Sequence, residues 1–243
     1  MSVAVVTGAG GAIGRAVCRH LAAEGYKIAA LDLLDPGEQD TRMRFFSCDV
    51  TMRDAVSNVV EEVEAQMGPI SALVNVAGVV SKGSALDLSV TEFERVMRIN
   101  VLGTLLPCQV IGQLMAERRQ GAIVNIGSVV GKNGGNARPW LDPSEQNNAG
   151  NVAYGMSKSA VHTLTLFLAK ELAGRGVRVN AVAPGPIATD MTTTFPDNLR
   201  ALIPLGRMGR ADEVAAAVGF LLSDKAGFIC GEILDINGAL WCD

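Results

Sequence analysis

Apolar runs of six to eight residues alternate along the chain with longer segments in which apolar positions recur every three or four residues. The short runs predict strands at 3–8, 27–33, 43–49, 71–78, 121–128, 177–183 and 231–236. The periodic segments predict helices over about 13–24, 55–67, 89–118, 152–173 and 211–222. Strands that are apolar at most positions and alternate with helices form a parallel sheet that is covered on both faces. The pattern therefore predicts an α/β fold with a doubly wound, mostly parallel, seven-stranded sheet.

Residues that are typical of helix termini support two of the predicted helix ends. The sequence S-V-T-E from Ser89 to Glu92 is a capping-box pattern, and it predicts the start of a helix that runs towards Arg118. Gly25 follows the first helical segment and is a typical residue after a helix end.

Two segments interrupt the alternation. Only nine residues separate Leu33 from Met43, which is too few for a crossover helix of the usual ~10–12 residues, so a loop is predicted there. Residues 129–151 are rich in Gly, Asn and Pro and have no period. A loop in that place would overhang a site at the carboxyl edge of the sheet.

Composition and charge narrow the class of protein. With 243 residues, of which 49% are hydrophobic and 19% charged, the chain is long enough for one large core. The net charge is −4, the sequence pI is about 5.3, and Lys and Arg are scattered rather than clustered. This distribution argues against nucleic acid and anionic membranes as partners. No basic leader opens the chain and no apolar run reaches the ~18 residues of a membrane span.

Cysteine and histidine usage bears on location and on metals. The five cysteines form an odd set without a C-x-x-C pair, and the two histidines stand far apart in sequence. We therefore expect reduced thiols in a cytoplasmic protein and no metal site.

A glycine-rich turn, TGAGGAIG at 7–14, joins the first predicted strand to the first helix. Such a turn brings backbone N–H groups close to a pyrophosphate, although many glycine turns are only tight turns. Asp32 follows Gly14 by eighteen residues at the end of the second strand, where it can accept hydrogen bonds from ribose hydroxyls. A 2′-phosphate there would meet like charge, at a cost on the order of 1–4 kcal/mol at ~4 Å, so NAD is favoured over NADP. Asp35 is the alternative residue for the ribose.

The second candidate feature is the pair Tyr154 and Lys158, four residues apart in a predicted helix and therefore on one face. Taken alone, the pair is equally typical of a half-buried tyrosine beside a lysine whose apolar stem packs against it. An ammonium ~5 Å from the phenol, at an effective dielectric of ~20, would favour the phenolate by roughly 3 kcal/mol, or ~2 pKa units. This predicts that Lys158 makes Tyr154 a usable acid and base near neutral pH.

Besides Asp32 and the Tyr-x-x-x-Lys pair, the chain contains in order the motifs TGAGGAIG (7–14), CDV (48–50), NVAG (75–78), RINVLGT (98–104), IVNIGS (123–128) and APGPIATDM (183–191). With these motifs it resembles the short-chain dehydrogenase/reductase family from Ser2 to nearly its end. The resemblance implies a single NAD-binding Rossmann-fold domain over residues 1–243. Cofactor-binding residues implied by position are Gly8, Gly11, Ile13 and Gly14 in the turn, Asp49 and Val50 at the adenine, Asn75, Ala77 and Gly78 in "NVAG", and Pro184, Gly185, Ile187 and Thr189 at the nicotinamide carboxamide.

By the same resemblance, Asn100, Ser128, Tyr154 and Lys158 are the catalytic residues, and Lys158 also holds the nicotinamide ribose. The implied activity is an NAD-dependent interconversion of a secondary alcohol and a ketone, with oxidation the favoured direction. Two alternatives stay open. One is an NADPH-dependent 3-oxoacyl-thioester reductase of the same family, and the other is a dinucleotide-binding regulator without catalysis.

The substrate side is less defined. Ser128 and Tyr154 are 26 residues apart, more than the family pattern has, so 129–151 is interpreted as an insertion beside the substrate. A lid is expected at about 184–205. Candidate substrate contacts are Ser128, Trp140, Tyr154, Met191 and Phe195, although packing of the lid explains its apolar residues equally well.

Two further expectations concern packing and assembly. His162, one turn beyond Lys158, is expected to pack inside the protein or against a neighbouring subunit rather than to act in catalysis. The resemblance implies a homo-oligomer, a tetramer or a dimer, that acts on a small alcohol or ketone. The identity of that substrate does not follow from the sequence.

Overall fold

A seven-stranded sheet organises the chain in the computed structural model, which describes residues 2–35, 37, 40–135, 145, 147, 149–189 and 197–242. The strands are β1 (Val3–Thr7), β2 (Lys27–Asp32), β3 (Met43–Ser47), β4 (Ile70–Asn75), β5 (Gly121–Ile126), β6 (Val177–Pro184) and β7 (Ile233–Ile236). Their order is β3-β2-β1-β4-β5-β6-β7, and each neighbouring pair is parallel. The predicted doubly wound α/β fold is confirmed, and the sheet is parallel throughout.

Helices cover the two faces of this sheet. They are α1 (Ala12–Ala23), α2 (Arg53–Met67), α3 (Val90–Met97), α4 (Gly103–Arg118), α5 (Val130–Asn133), α6 (Val152–Ala173), α7 (Asp197–Arg200) and α8 (Ala211–Leu222). One hydrophobic core packs α2, α4 and α6 against one face, and a second core packs α1 and α8 against the other. Two buried faces explain why the strands are apolar at consecutive positions.

The predicted helix ends hold, with one interruption inside the longest helix. The Ser89 side chain accepts a hydrogen bond from the Glu92 backbone N–H at 3.2 Å, as the capping pattern predicts. Gly25 has φ of +94°, a conformation that favours glycine. The helix predicted over 89–118 is divided by a π-helical turn at 98–102, which contains Asn100. Such turns are frequent at functional sites.

The stretch Val90–Arg118 is long and apolar enough, by length and composition alone, to cross a membrane. Its most apolar window has a mean hydropathy of 1.4, and 56% of that window is buried inside the protein. Its second half, α4, packs against β4, β5 and α2. We therefore interpret it as a core helix.

The two irregular segments are described in part. Between β2 and β3, the described residues form no helix, and Leu33 and Leu34 are exposed. In the segment 129–151, α5 forms directly after Ser128, whereas residues 136–144, 146 and 148 lie outside the described part of the chain.

The order of the strands locates a crevice. β1 pairs with β2 on one side and with β4 on the other, so the chain changes direction across the sheet at this point. In open parallel sheets, ligands bind beyond the carboxyl ends of the strands at such a switch point. Thr7, Asp32 and Asn75 end the three strands around it.

Candidate active site

The glycine turn between β1 and α1 is tightly built. A Cβ at Gly8, where φ is +63°, would lie 2.6 Å from the backbone of Ala77, and a Cβ at Gly14 would lie 2.1 Å from the Gly8 carbonyl oxygen. Gly11 is the N-cap of α1, whose first turn has neither a side-chain cap nor an acidic residue. The N–H groups at this helix start are therefore suited to an anion such as a pyrophosphate.

Asp32 rather than Asp35 lies against the turn. The Asp32 carboxylate accepts hydrogen bonds from the backbone N–H of Gly10 at 2.8 Å and of Leu33 at 2.7 Å. Asp35 accepts one from Gly37 within its own loop, at 2.8 Å. The β2 carboxylate is thus held at the position where a dinucleotide ribose would lie.

A basic side chain also reaches this turn, which the sequence reasoning did not anticipate. The Arg15 guanidinium folds back from α1 and donates a hydrogen bond to the Gly10 carbonyl oxygen. The sequence prediction of NAD rested on the Asp32 charge and did not consider Arg15. A residue of the first helical turn can reach the same place because its side chain is directed towards the helix N-terminus.

The loop after β4 is fixed against the turn by Thr7. The Thr7 hydroxyl accepts hydrogen bonds from the N–H groups of Val76 and Ala77, at 3.1 and 3.3 Å. The Asn75 side chain is buried instead and donates to the Asn125 side chain on β5 at 2.9 Å. Asn75 was expected at the cofactor, but its side-chain amide already forms a hydrogen bond inside the protein.

The remaining residues expected at the cofactor lie at the carboxyl end of the sheet. The Asp49 carboxylate accepts hydrogen bonds from the backbone and hydroxyl of Thr51 at 2.9 and 2.8 Å. Gly185 donates its N–H to the Ile236 carbonyl at 3.0 Å, directly after β6. Ile187 is buried, with a backbone bridge to Gly209. Val50 and Pro184 are buried, whereas Ile13 and Thr189 are half-buried.

Tyr154 and Lys158 lie on one face of α6, as the spacing predicts. The Lys158 Nζ is 5.8 Å from the centre of the Tyr154 ring and donates to the Ile126 carbonyl at the end of β5, at 2.8 Å. A Cβ at Gly78 would crowd the Asn100 Oδ1, 3.2 Å away, whereas its distance of 3.5 Å from Nζ would be an ordinary contact. The lysine side chain is only 6% exposed.

This burial corrects the sequence argument about ionisation. Burial raises the pKa of Tyr154, and a side-chain hydrogen bond with Ser128 lowers it in part. Burial also lowers the pKa of Lys158 to about 8. The expected decrease in the tyrosine pKa is therefore wrong for the protein without ligand. Desolvation, which the sequence does not reveal, is the larger effect on the tyrosine pKa, and the Ser128 hydrogen bond opposes it only in part.

Ser128 and Asn100 complete the group. The Ser128 hydroxyl accepts from the Val130 N–H at 3.2 Å and is buried beside Tyr154. The Asn100 amide accepts from the Val79 N–H at 2.8 Å and donates to the Val79 carbonyl and the Ser157 hydroxyl, each at 2.9 Å. Asn100 thus joins the loop after β4 to α6. All four residues expected to be catalytic meet at this edge.

Asn151 was not among the predicted site residues, although it determines where α6 begins. Its side chain accepts from the N–H groups of Ala153 and Tyr154 at 3.1 and 3.4 Å and donates to the Ser81 hydroxyl at 2.8 Å. An asparagine at a predicted helix start is an N-cap signal that could have identified it.

The substrate side lies partly outside the described residues. This holds for Trp140, Met191 and Phe195, three of the five candidate substrate contacts. Across the neighbouring segments, Asn198 donates a hydrogen bond to the buried carboxylate of Glu145. The insertion and the start of α7 are therefore in contact. Within the described residues, His, Cys, Asp and Glu form no cluster that could hold a metal.

Comparisons with known proteins place this arrangement in context. Residues 8–240 match the family model described as enoyl-(acyl carrier protein) reductase. The chain is 37% identical to (3R)-3-hydroxyacyl-CoA dehydrogenase of Mus musculus, over 99% of this chain and 96% of the relative. It is 38% identical to galactitol 2-dehydrogenase (L-tagatose-forming) of Cereibacter sphaeroides, over 97% and 93%. The solved structure of Thermoplasma acidophilum aldohexose dehydrogenase superposes with a TM-score of 0.84 at 33% identity, over 98% and 93%.

The buried amine makes stability depend on pH in a defined window. The pKa of Lys158 is about 8 in the folded protein and near its ordinary value of 10.5 in the unfolded chain. Between these values the unfolded state binds more protons, so the free energy of unfolding should rise with pH, by up to ~3 kcal/mol. Urea denaturation across the window should show this rise in the wild type relative to Lys158→Met.

The exposed Lys82 supplies the matched control for that experiment. The Lys82→Met variant should keep the wild-type dependence of stability on pH. A constant difference between wild type and Lys158→Met across the window would contradict burial of the amine.

Proposed function

Because the chain belongs to the short-chain dehydrogenase/reductase family, and is an oxidoreductase by that membership, we propose that it interconverts a secondary alcohol and a ketone with NAD. The observation that carries the proposal is the Lys158 amine 5.8 Å from the Tyr154 ring, beside Ser128 at the carboxyl end of β5. A phenol, a hydroxyl and an amine in this arrangement can bind one substrate oxygen and move its proton.

Each of these residues has a distinct task. Tyr154 is the acid and base at the substrate oxygen, and Ser128 donates a hydrogen bond that positions this oxygen and stabilises its developing charge. Because burial raises the pKa of Tyr154, the phenol is protonated at neutral pH and is ready to donate a proton to a ketone oxygen. Oxidation of an alcohol needs the phenolate, so its rate should increase with pH.

The residues around the switch point fit a nicotinamide dinucleotide. Gly8, Gly11 and Gly14 leave the space and the N–H groups for its pyrophosphate, and Asp32 would accept from the adenosine ribose hydroxyls. Lys158 would bond the nicotinamide ribose. When bound, the dinucleotide supplies or accepts the hydride. The residues of the chain then have to position the substrate carbon that exchanges the hydride and to transfer the proton of the substrate oxygen.

A second candidate is an NADPH-dependent reductase of 3-oxoacyl thioesters. The family model that matches the chain is described as an acyl-carrier-protein reductase, and one relative is named for a 3-hydroxyacyl-CoA. The Arg15 guanidinium also brings a positive charge to the turn, at the carbonyl of the same Gly10 whose N–H bonds Asp32, and it would offset part of the repulsion of a 2′-phosphate. The Asp32 carboxylate argues for NAD.

We extend the proposal to assembly and location. On α6, the exposed apolar residues Val152, Met156 and Phe167 lie along one side of the helix, which supports a homo-oligomer. Light scattering should give a dimer or tetramer, and a monomer at all concentrations would contradict this. None of the five cysteines forms a disulfide bond, which supports a cytoplasmic protein. Tagged protein found in the secreted fraction would contradict that location.

A substrate panel with both dinucleotides separates the two candidates. The panel comprises a (3R)-3-hydroxyacyl-CoA and its 3-oxo product, galactitol, a steroid alcohol, a cyclic dihydrodiol and an aryl alcohol, each followed by dinucleotide absorbance. We expect turnover of at least one alcohol, with kcat/KM about tenfold or more higher for NAD than for NADP. A clear preference for NADPH with a 3-oxoacyl thioester would establish the second candidate. Bound dinucleotide without turnover of any compound would favour a regulator.

The acid and base is tested by Tyr154→Phe. Loss of the hydroxyl should lower kcat by ~10²–10⁴-fold, because the substrate oxygen loses its proton partner. The dissociation constant for NAD should stay close to that of the wild type. The chain has one other tyrosine, the half-buried Tyr26, so Tyr26→Phe is the matched control and should keep full activity. An active Tyr154→Phe enzyme would refute the assignment.

A further inference from the structure

The backbone N–H of Ser128 has an unusual partner for a residue at the end of a strand. The N–H groups on either side, of Gly127 and Val129, donate to the β6 carbonyls of Val182 and Pro184 at 2.8 and 2.9 Å. The Ser128 N–H donates instead to Nε2 of His162 on α6, at 3.3 Å.

The geometry of the sheet explains why a side chain is needed there. The pairing of β4 with β5 ends at Asn75 opposite Asn125, three residues before Ser128. Beyond that point β4 no longer offers carbonyl groups to β5, and Ser128 is buried, at 4% exposure. A buried N–H without an acceptor is costly, so an acceptor from α6 stabilises this backbone.

The backbone around Ser128 is shaped to the imidazole. A Cβ at Gly127 would lie 2.1 Å from Nε2 of His162. A Cβ at Gly131 would meet the α6 backbone at Ser159 first, at 2.8 Å, and Cε1 of the imidazole at 3.0 Å. Two glycines, one on each side of Ser128, therefore allow the ring to approach the backbone directly. His162 is itself 7% exposed.

We propose that His162 is a positioning residue for Ser128: its Nε2 fixes the backbone of the serine and thereby the direction of the hydroxyl towards Tyr154. Since Nε2 accepts the hydrogen bond, the imidazole is neutral and carries its proton on Nδ1. This inference rests on the proposed function, which gives Ser128 its place at the substrate oxygen. The sequence expectation that His162 is packed inside the protein agrees with its burial, but that expectation did not include a bond to Ser128.

Three substitutions of His162 distinguish the effect of losing the hydrogen bond from the effect of changing the side-chain volume. His162→Leu removes the acceptor at similar volume, and His162→Asn keeps an amide that is too short to reach the Ser128 N–H. His162→Gln can place its Oε1 where Nε2 lies. The matched control is Thr165→Val, three residues further along α6, because Thr165 is fully buried and bonds Asn125 on β5 instead of Ser128.

Hydrogen–deuterium exchange gives a readout that needs no substrate. In the full-length protein without added ligand, exchange of the Ser128 amide should be about tenfold faster or more in His162→Leu and His162→Asn. It should return towards the wild-type rate in His162→Gln. Thr165→Val should leave the Ser128 amide unchanged. Wild-type exchange in both the Leu and Asn variants, or equal acceleration in Thr165→Val, would overturn the inference.

Steady-state kinetics with the best alcohol and dinucleotide of the panel give the second readout. We expect kcat to fall about tenfold or more in His162→Leu and His162→Asn, to recover in His162→Gln, and to change little in Thr165→Val, with NAD affinity constant throughout. Ser128→Ala separates the two levels of the argument. If Ser128→Ala is fully active, the proposed role of the serine fails. If Ser128→Ala is inactive while both His162→Leu and His162→Asn retain full kcat, only the inference about His162 fails.

Discussion

The site depends on a buried lysine amine held beside a half-buried tyrosine phenol. Water would stabilise the charge of either group, but here the amine donates to the Ile126 carbonyl and the phenol bonds the Ser128 side chain. Desolvation therefore controls the ionisation of both groups. It holds the phenol of Tyr154 in its protonated form and leaves the amine of Lys158 with a pKa of about 8.

The elements around this pair are joined by buried side-chain hydrogen bonds rather than by the sheet alone. Asn100 ties the loop after β4 to α6, Asn151 caps α6 and bonds Ser81, and His162 bonds the backbone of Ser128. Each bond joins segments that are distant in sequence. Together they connect the segments that carry the phenol, the amine and the serine hydroxyl.

Much of the fold follows from the sequence because its determinants are local. Strands buried on both faces read as apolar runs, and the Ser89 cap and Gly25 mark helix ends through their own chemistry. The glycine turn is equally readable, since Gly8 and Gly14 are positions where a Cβ would collide with backbone. The spacing of Tyr154 and Lys158 likewise fixes one shared helix face. These features depend on residues that are close together in the chain.

Other features could not be predicted from the sequence, mainly because they depend on residues that are far apart in the chain. The π-helical turn at Asn100 appears only when the elements are packed. The direction of the tyrosine pKa was wrong for the same reason. A Coulomb estimate between two residues of one helix includes their mutual charge, but it does not include the desolvation of both groups in the folded protein. Arg15 was missed for a different reason, since its contact with the Gly10 carbonyl spans only five residues and follows from the direction of helical side chains.

Direct titration of Tyr154 tests this account most closely. In the Tyr26→Phe protein, Tyr154 is the sole tyrosine, so phenolate absorbance reports its ionisation alone. Without dinucleotide, the account predicts a pKa above the ordinary value of 10.0. A phenol that titrates below that ordinary value in the free protein would contradict it, because the neighbouring amine would then outweigh burial.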